Sequence, residues 1–141
     1  MDKRLFFLIN KAKHRMFKFA EINCETRLGI SVTQAAAIMM IGKSEGCLQK
    51  ELAKVLGLNH SAVTGLVSRM IKNDLIIRKS CDDDGRASRL FLTKLGQEKY
   101  PQIRPLIQEI NQKLTKGFSE DEIETVLRFL NNIVDDFKIK S

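Results

Sequence analysis

The sequence lacks the features of a membrane-spanning or secreted protein. No segment of the 141 residues approaches the roughly twenty consecutive apolar residues that cross a bilayer, and the apolar run 5–9 is shorter than a signal-peptide core. The three cysteines, Cys24, Cys47 and Cys81, are widely separated and form no CxxC pair, so they indicate neither a disulfide framework nor a zinc site. We expect a soluble, cytoplasmic protein that has no membrane partner.

Motifs of enzymes and metalloproteins are also missing. The sequence has no nucleophile elbow, no phosphate-binding glycine loop, no HExxH motif and no CxxC pair. His14 and His60 stand far from other residues of the kind that bind metals. We therefore expect a protein that is not an enzyme and that uses neither a metal nor a cofactor.

Positive charge is what the sequence has in excess. Lysine and arginine number 24 against 17 acidic residues, which gives a formal net charge of +7 and a sequence pI near 9.5. Such a balance favours a polyanionic partner without separating nucleic acid from an anionic membrane surface. No repeat or Pro/Gly-rich linker interrupts the chain, so residues 1–141 are predicted to form a single domain.

Helical periodicity covers most of the chain. A first helix, within about residues 1–28, carries a broad apolar stripe and a basic opposite face. Ser31 and Gln34 have the spacing of a capping box and predict the start of a second helix. A short helix follows from Leu48, and Gly57 stands where a left-handed residue would end it.

Asn59 is predicted to cap the next helix, and two helices joined by a short glycine-containing turn form a helix-turn-helix. Residues 75–79 and 89–92 then have the extended pattern of a hairpin, here called the wing together with its loop. Thr93 caps a long helix that Pro101 and Pro105 should kink or break.

The predicted fold class is mainly α with a small β-hairpin wing. A winged helix-turn-helix lobe spans about residues 31–93, and the helices of 1–28 and 94–141 form a dimerisation region. The final helix, after a second capping box at Ser119, has an apolar stripe suited to packing against another helix.

The helix after Asn59 is the one expected to enter the major groove of DNA, because recognition helices use their N-terminal residues on base edges. Its outward polar residues, including the capping residue, are the candidate DNA contacts: Asn59, His60, Ser61, Thr64, Ser68, Arg69 and Lys72. Gln49, Lys50 and Lys54 on the preceding helix could fix the register on the DNA backbone without reading its sequence.

The wing loop is unexpectedly acidic for a DNA-binding surface, since it contains three consecutive aspartates. One interpretation is that Asp84 orients Arg86 or Arg89 through a charge-assisted hydrogen bond, which would pre-set a guanidinium for the minor groove. The alternative is an ordinary solvated turn in which acids and bases pair at the surface.

In these segments the sequence resembles the MarR family of bacterial transcription regulators. The residues that carry the resemblance are 31–34 (SVTQ), 51–53 (ELA), 61–64 (SAVT), 75–78 (LIIR), 84–86 (DGR), 90–93 (LFLT) and Gly96. The resemblance implies an obligate homodimer that binds a palindromic operator in double-stranded DNA. It also implies that Arg86, supported by Asp84, enters the minor groove.

Three features depart from the family pattern. Gly65 stands where the family often has a longer polar side chain, so the base preference cannot be transferred. Asp74 replaces a usual glycine, which requires Asn73 or Asp74 to adopt an unusual backbone conformation. The two prolines of the long helix put the spacing of the lobes in doubt.

The resemblance further implies a repressor that a small lipophilic or phenolic anion releases from DNA. Candidate pocket residues are Phe17, Met39, Met40 and Phe91, with His14 or Arg15 meeting the anion, although such residues are more often core. One alternative is redox sensing through Cys24, for which only Arg27 is a nearby cation. Another is a winged-helix module that binds protein and never DNA.

Overall fold

A computed structural model describes residues 1–80 and 87–139 of the chain. The elements follow in the order α1 (Leu5–Leu28), α2 (Val32–Lys43), β1 (Cys47–Leu48), α3 (Gln49–Leu56), α4 (His60–Lys72), β2 (Ile76–Ser80), β3 (Ser88–Leu92), α5 (Lys94–Thr115) and α6 (Glu120–Asp136). The predicted fold class, mainly α with a small wing, is confirmed.

Helices α2 and α4 begin at the capping residues that the sequence predicts. The Ser31 hydroxyl accepts a hydrogen bond from the Gln34 backbone N–H at 3.1 Å, and the Gln34 side chain accepts one from the Ser31 N–H at 3.4 Å. Asn59 Oδ1 accepts from the Ala62 N–H at 2.8 Å at the start of α4. Gly57 ends α3 in the left-handed conformation, with φ of 66°. Gly57 and Asn59 thus bound the short turn that joins α3 to α4.

The two arms of the wing and the separate strand β1 form a three-stranded antiparallel sheet, the wing sheet, with strand order β1-β3-β2. The sequence predicts its two long arms within a residue or two, but it does not predict β1. This two-residue strand pairs Cys47 with Leu90 and Leu48 with Arg89. Two residues are too few to show a period, so only the approach of β3 reveals the strand.

The core of the lobe lies among α2, α3, α4 and the wing sheet. Its largest fully buried side chains include Ile38, Ile41, Leu52, Leu66, Met70, Leu75, Ile76 and Leu90. Burying one such side chain stabilises the fold by about 2 kcal/mol. Helices α3 and α4 therefore pack against a buried core and leave their other faces exposed.

The end of α1 is hydrogen-bonded to α2 and to α5. Glu21 Oε1 accepts from the Val32 N–H at 3.2 Å, at the start of α2. Lys99 Nζ on α5 donates to the Leu28 carbonyl, one of the last acceptors of α1, at 2.5 Å. Leu28 and Cys24 are buried near this end, whereas residues 1–19 are all exposed.

The turn from α4 into the wing has the backbone conformation that the sequence requires. Among the non-glycine residues in 1–80 and 87–139, only Asp74 has a positive φ, 59°. Thr93 Oγ1 donates to the Asp74 carbonyl at 2.5 Å and accepts from the Gly96 N–H at 3.1 Å. Thr93 therefore both caps α5, as predicted, and holds the strained turn.

Of the kink or break predicted at Pro101 and Pro105, the break is wrong, because α5 runs without interruption from Lys94 to Thr115. The two prolines lie four residues apart and are exposed, while Ile103 and Leu106 are buried. Each proline removes one amide donor, but it does so on the exposed side, where water can bond the carbonyl that is left. The buried residues hold the helix together across both positions.

The chain divides into two compact units, Met1–Leu106 and Ile107–Ser141. The first contains α1 through β3 and the beginning of α5. The second contains the end of α5 and α6, which starts at a Ser119–Glu122 capping box. None of the residues that form α6 is buried within the described part of the chain. No described helix is long and apolar enough to cross a bilayer.

Candidate nucleic-acid interface

An open groove of about 700 Å³ lies where α3, α4 and the two arms of the wing meet. Helix α3 and the N-terminal half of α4 supply most of its lining, and the rest comes from the end of β1, from β2 and from the chain at the start of β3. The lining residues are Leu48, Gln49, Lys50, Ala53, His60, Val63, Thr64, Arg78, Ala87 and Ser88. The fold thus gathers polar and cationic side chains from α3, α4, β2 and β3 at one concave surface.

Four of the predicted DNA contacts line this groove: Gln49, Lys50, His60 and Thr64. Gln49 Nε2 on α3 donates to Thr64 Oγ1 on α4 at 3.4 Å. This contact leaves the amide oxygen of Gln49 and the hydroxyl hydrogen of Thr64 available as an acceptor and a donor. A base edge presenting both kinds of group could bond to the pair.

Sequence reasoning missed Arg78, which also lines the groove. It follows buried Ile76 by two residues on β2, so both side chains lie on the same face of the sheet. Side chains alternate between the two faces along a strand. Continuing this alternation beyond the apolar residues of β2 would have identified Arg78. Arg78 places a guanidinium on the wing side, opposite the helices.

The remaining predicted contacts on α3 and α4 are exposed but are not part of the groove lining. They are Lys54, Asn59, Ser61, Ser68, Arg69 and Lys72. The oxygen of Asn59 is already bonded to the Ala62 N–H as a helix cap. The four cations Lys50, Lys54, Arg69 and Lys72 are exposed on the two helices.

Of the three DNA contacts predicted in the wing, only Arg89 is among the described residues. Asp84 and Arg86 lie outside the described residues, and so does the proposed bond between Asp84 and a neighbouring arginine. Arg89 is described, and its Nη1 donates to the Gly46 backbone carbonyl at 2.9 Å. Its guanidinium is therefore bonded to the main chain that leads into β1.

The candidate effector residues are on three different elements. His14, Arg15 and Phe17 are exposed on α1, and Lys13 lies over the Phe17 ring at 5.8 Å. Met39 and Met40 are half-buried on α2. Phe91 on β3 has Lys79 over its ring at 5.0 Å. None of these candidates lines the groove beside α4.

Cys24, the redox candidate, is buried on α1 with 4% of its surface exposed. Burial raises the pKa of its thiol, the carboxylate of Glu21 raises it further, and Arg27 offsets only part of this. The thiolate is the reactive form of cysteine, and a raised pKa disfavours it at neutral pH. Both the burial of Cys24 and the raised pKa of its thiol are unfavourable to redox sensing.

A helix-turn-helix followed by a hairpin wing, with a polar and basic groove between them, defines a winged helix-turn-helix protein. A family model described as MarR family matches residues 28–87. The multiple antibiotic resistance protein MarR of Salmonella typhimurium is 31% identical over 134 residues, which cover 93% of this chain and 89% of that protein. The chain belongs to the MarR family and is a transcriptional regulator of the winged-helix class.

Solved structures agree with this assignment. The S. aureus MepR–DNA complex has a TM-score of 0.90 at 22% identity, covering 97% of this chain and all of that one. A MarR family transcriptional regulator from Listeria monocytogenes, complexed with 26mer DNA, has a TM-score of 0.81 at 25% identity and covers 100% and 99% of the two chains. Both contain DNA and share the fold described above.

Proposed function

We propose that this regulator is a homodimeric repressor that binds a palindromic operator in double-stranded DNA, one winged-helix lobe on each half-site. The observation that carries the proposal is the groove in which α3, α4 and the wing arms meet. Its helical wall presents short polar groups near the N-terminus of α4, where a recognition helix meets base edges. Neighbouring cations on the same side of the lobe supply partners for phosphates.

Within this proposal the residues that line the groove and the exposed polar residues of α3 and α4 have two kinds of role. His60, Ser61 and Thr64 lie in the first turns of α4 and are the candidates for base contacts, together with Gln49 through its bond to Thr64. The cations of α3, α4 and β2 bind phosphates and fix the register: Lys50, Lys54, Arg69, Lys72 and Arg78. The positive end of the helix dipole at the start of α4 favours a phosphate as well.

The homodimer is supported by apolar surface on the terminal helices. Phe6 and Phe7 on α1 are 79% and 60% exposed, and Val134 on α6 is 70% exposed. Surface of this kind on a soluble chain is typical of an interface, and a second copy of the chain would cover it. Sedimentation tests this part, because a stable 16.1 kDa monomer at micromolar concentration would exclude the dimer.

Salt dependence tests DNA binding against the alternative of a module that binds only protein. We would select duplexes from a random library and measure the Kd of the best one by fluorescence anisotropy. If six or more phosphates are contacted, the affinity should fall about a thousandfold between about 50 and 200 mM salt, because counterions are released on binding. Failure to enrich any duplex, or an affinity that does not change with salt, would remove the proposal.

Thr64→Ala is expected to change which base is preferred at one position of each half-site. The substitution removes the hydroxyl that Gln49 bonds to, and loss of one good base contact costs about tenfold in affinity for the preferred base. Repeating the duplex selection with the variant measures this effect. Thr33→Ala, an exposed threonine on α2 outside the groove, is the matched control. An unchanged ranking of sites for Thr64→Ala would contradict the assigned role.

Release by a small lipophilic or phenolic anion is the remaining part of the proposal. Its support is the family membership together with the half-buried methionines Met39 and Met40 on α2. A panel of phenolic and aliphatic carboxylates, added to the preformed complex, tests it by the loss of anisotropy. If the panel shifts neither the Kd nor the melting temperature of the free protein, release by this class of ligand is excluded.

A further inference from the structure

The two-residue loop segment Glu45–Gly46, which precedes β1, makes bonds to β3 that the short strand cannot make. Strand β1 covers β3 only at Arg89 and Leu90. Beyond it, the Leu92 N–H donates to Glu45 Oε2 at 3.2 Å. Leu92 is buried, and a buried N–H needs an acceptor. The Glu45 carboxylate therefore takes the place of the backbone carbonyl that a longer β1 would offer.

Gly46 is bonded to β3 through both of its backbone groups. Its N–H donates to the Leu90 carbonyl at 2.8 Å, and its carbonyl accepts from Arg89 Nη1 at 2.9 Å. The strand held in this way is the central strand of the wing sheet. Leu90 lies directly opposite Arg78 in the antiparallel register, and Arg78 lines the groove.

We propose that Glu45 and Arg89 are positioning residues, which hold β3 and thereby place the arm carrying Arg78 at the wall of the DNA groove. The inference rests on the proposed function, and it assigns the Arg89 cation to the main chain instead of to a phosphate. It also gives an acidic residue a favourable role in binding a polyanion. Electrostatics alone would make that residue unfavourable.

The Glu45→Ala and Glu45→Gln pair separates the hydrogen bond from the charge. Both variants remove the negative charge, but the glutamine oxygen can still accept from the Leu92 N–H. We expect Glu45→Ala to weaken duplex binding about fivefold, the equivalent of one lost hydrogen bond. Glu45→Gln should bind as tightly as the parent chain or more tightly. Binding by Glu45→Ala at the parent affinity, or equal weakening in both variants, would overturn the proposal.

Amide hydrogen exchange tests the same contacts without DNA. The Leu92 amide should exchange at least about tenfold faster in Glu45→Ala, and at the parent rate in Glu45→Gln. Unchanged exchange in Glu45→Ala would overturn the proposed role of Glu45. This measurement uses the free protein, so it tests the role of Glu45 even if the parent chain binds no duplex. Absence of duplex binding would contradict the proposed function alone.

The second comparison is between Arg89→Met and Arg78→Met. Arg89 is assigned to the main chain at Gly46, and Arg78 is assigned to the groove. Arg89→Met should weaken binding and speed exchange of the Leu90 and Gly46 amides, and Arg89→Lys, which keeps a donor, should restore part of both. Arg78→Met should weaken binding with a smaller salt slope and leave these amides unchanged. If Arg89→Met behaves like Arg78→Met, Arg89 is a phosphate contact and its positioning role is wrong.

Discussion

Gly96→Ala is expected to lower the free energy of unfolding by about 3 kcal/mol, because a methyl group at this position has no room. An added Cβ would collide with the backbone carbonyl oxygen of Leu75 and would lie 3.3 Å from Leu92 Cβ. A backbone atom cannot turn aside as a side chain can. The first turn of α5 would have to move away from the wing, with loss of the Gly96–Thr93 bond.

Chemical denaturation of the parent chain and of the Gly96→Ala variant measures this loss of stability. Gly65→Ala is the matched control. Gly65 lies inside α4, and the nearest atom to its added Cβ would be Arg69 Nη1 at 3.3 Å, the far end of a flexible side chain. The control should raise the free energy of unfolding by up to about 1 kcal/mol, since alanine favours a helix. A Gly96→Ala chain as stable as its parent would show that α5 is not packed this closely on the wing.

Gly42→Ala is expected to lower the free energy of unfolding by about 2 kcal/mol through a clash with an aromatic ring. Gly42 lies in the last turn of α2, and an added Cβ would overlap the ring of Tyr100 on α5. Tyr100 is half-buried, so the ring can leave only by giving up its packing on α2. The glycine therefore permits the close approach of two helices.

A double-mutant cycle with Tyr100→Ala identifies the clash as the cause. Once the ring is removed, Gly42→Ala should be neutral or stabilising, because only the helix preference of alanine remains. The coupling free energy should then be about 2 kcal/mol or more, measured from four denaturation curves. Additive costs of the two substitutions would assign the loss to something other than Tyr100.

Much of the fold could be predicted because its signals are local. The caps at Ser31, Asn59 and Ser119 each depend on residues three positions apart, and all three have the predicted bonds. Asp74 has the positive φ that the missing glycine requires. Such signals act within one turn of chain, so the sequence contains everything needed to interpret them.

The candidate site could be predicted only in part. Gln49, Lys50, His60 and Thr64 belong to helices whose exposed face follows from periodicity, and they line the groove. Arg78 and Ser88 join them only because the wing folds back towards the helices. Arg89 looked equivalent to other basic residues of the wing, yet its bond to Gly46 joins positions 43 residues apart.

The sequence by itself determined the order of the helices, their caps, the helix-turn-helix and the two wing arms, since each depends on neighbouring residues. Only the tertiary structure decided that α5 continues through Pro101 and Pro105, because that outcome depends on the burial of Ile103 and Leu106. It alone decided the existence of β1 and the contact of Glu45 with Leu92, 47 residues apart. These features depend on groups that become neighbours only when the chain has folded.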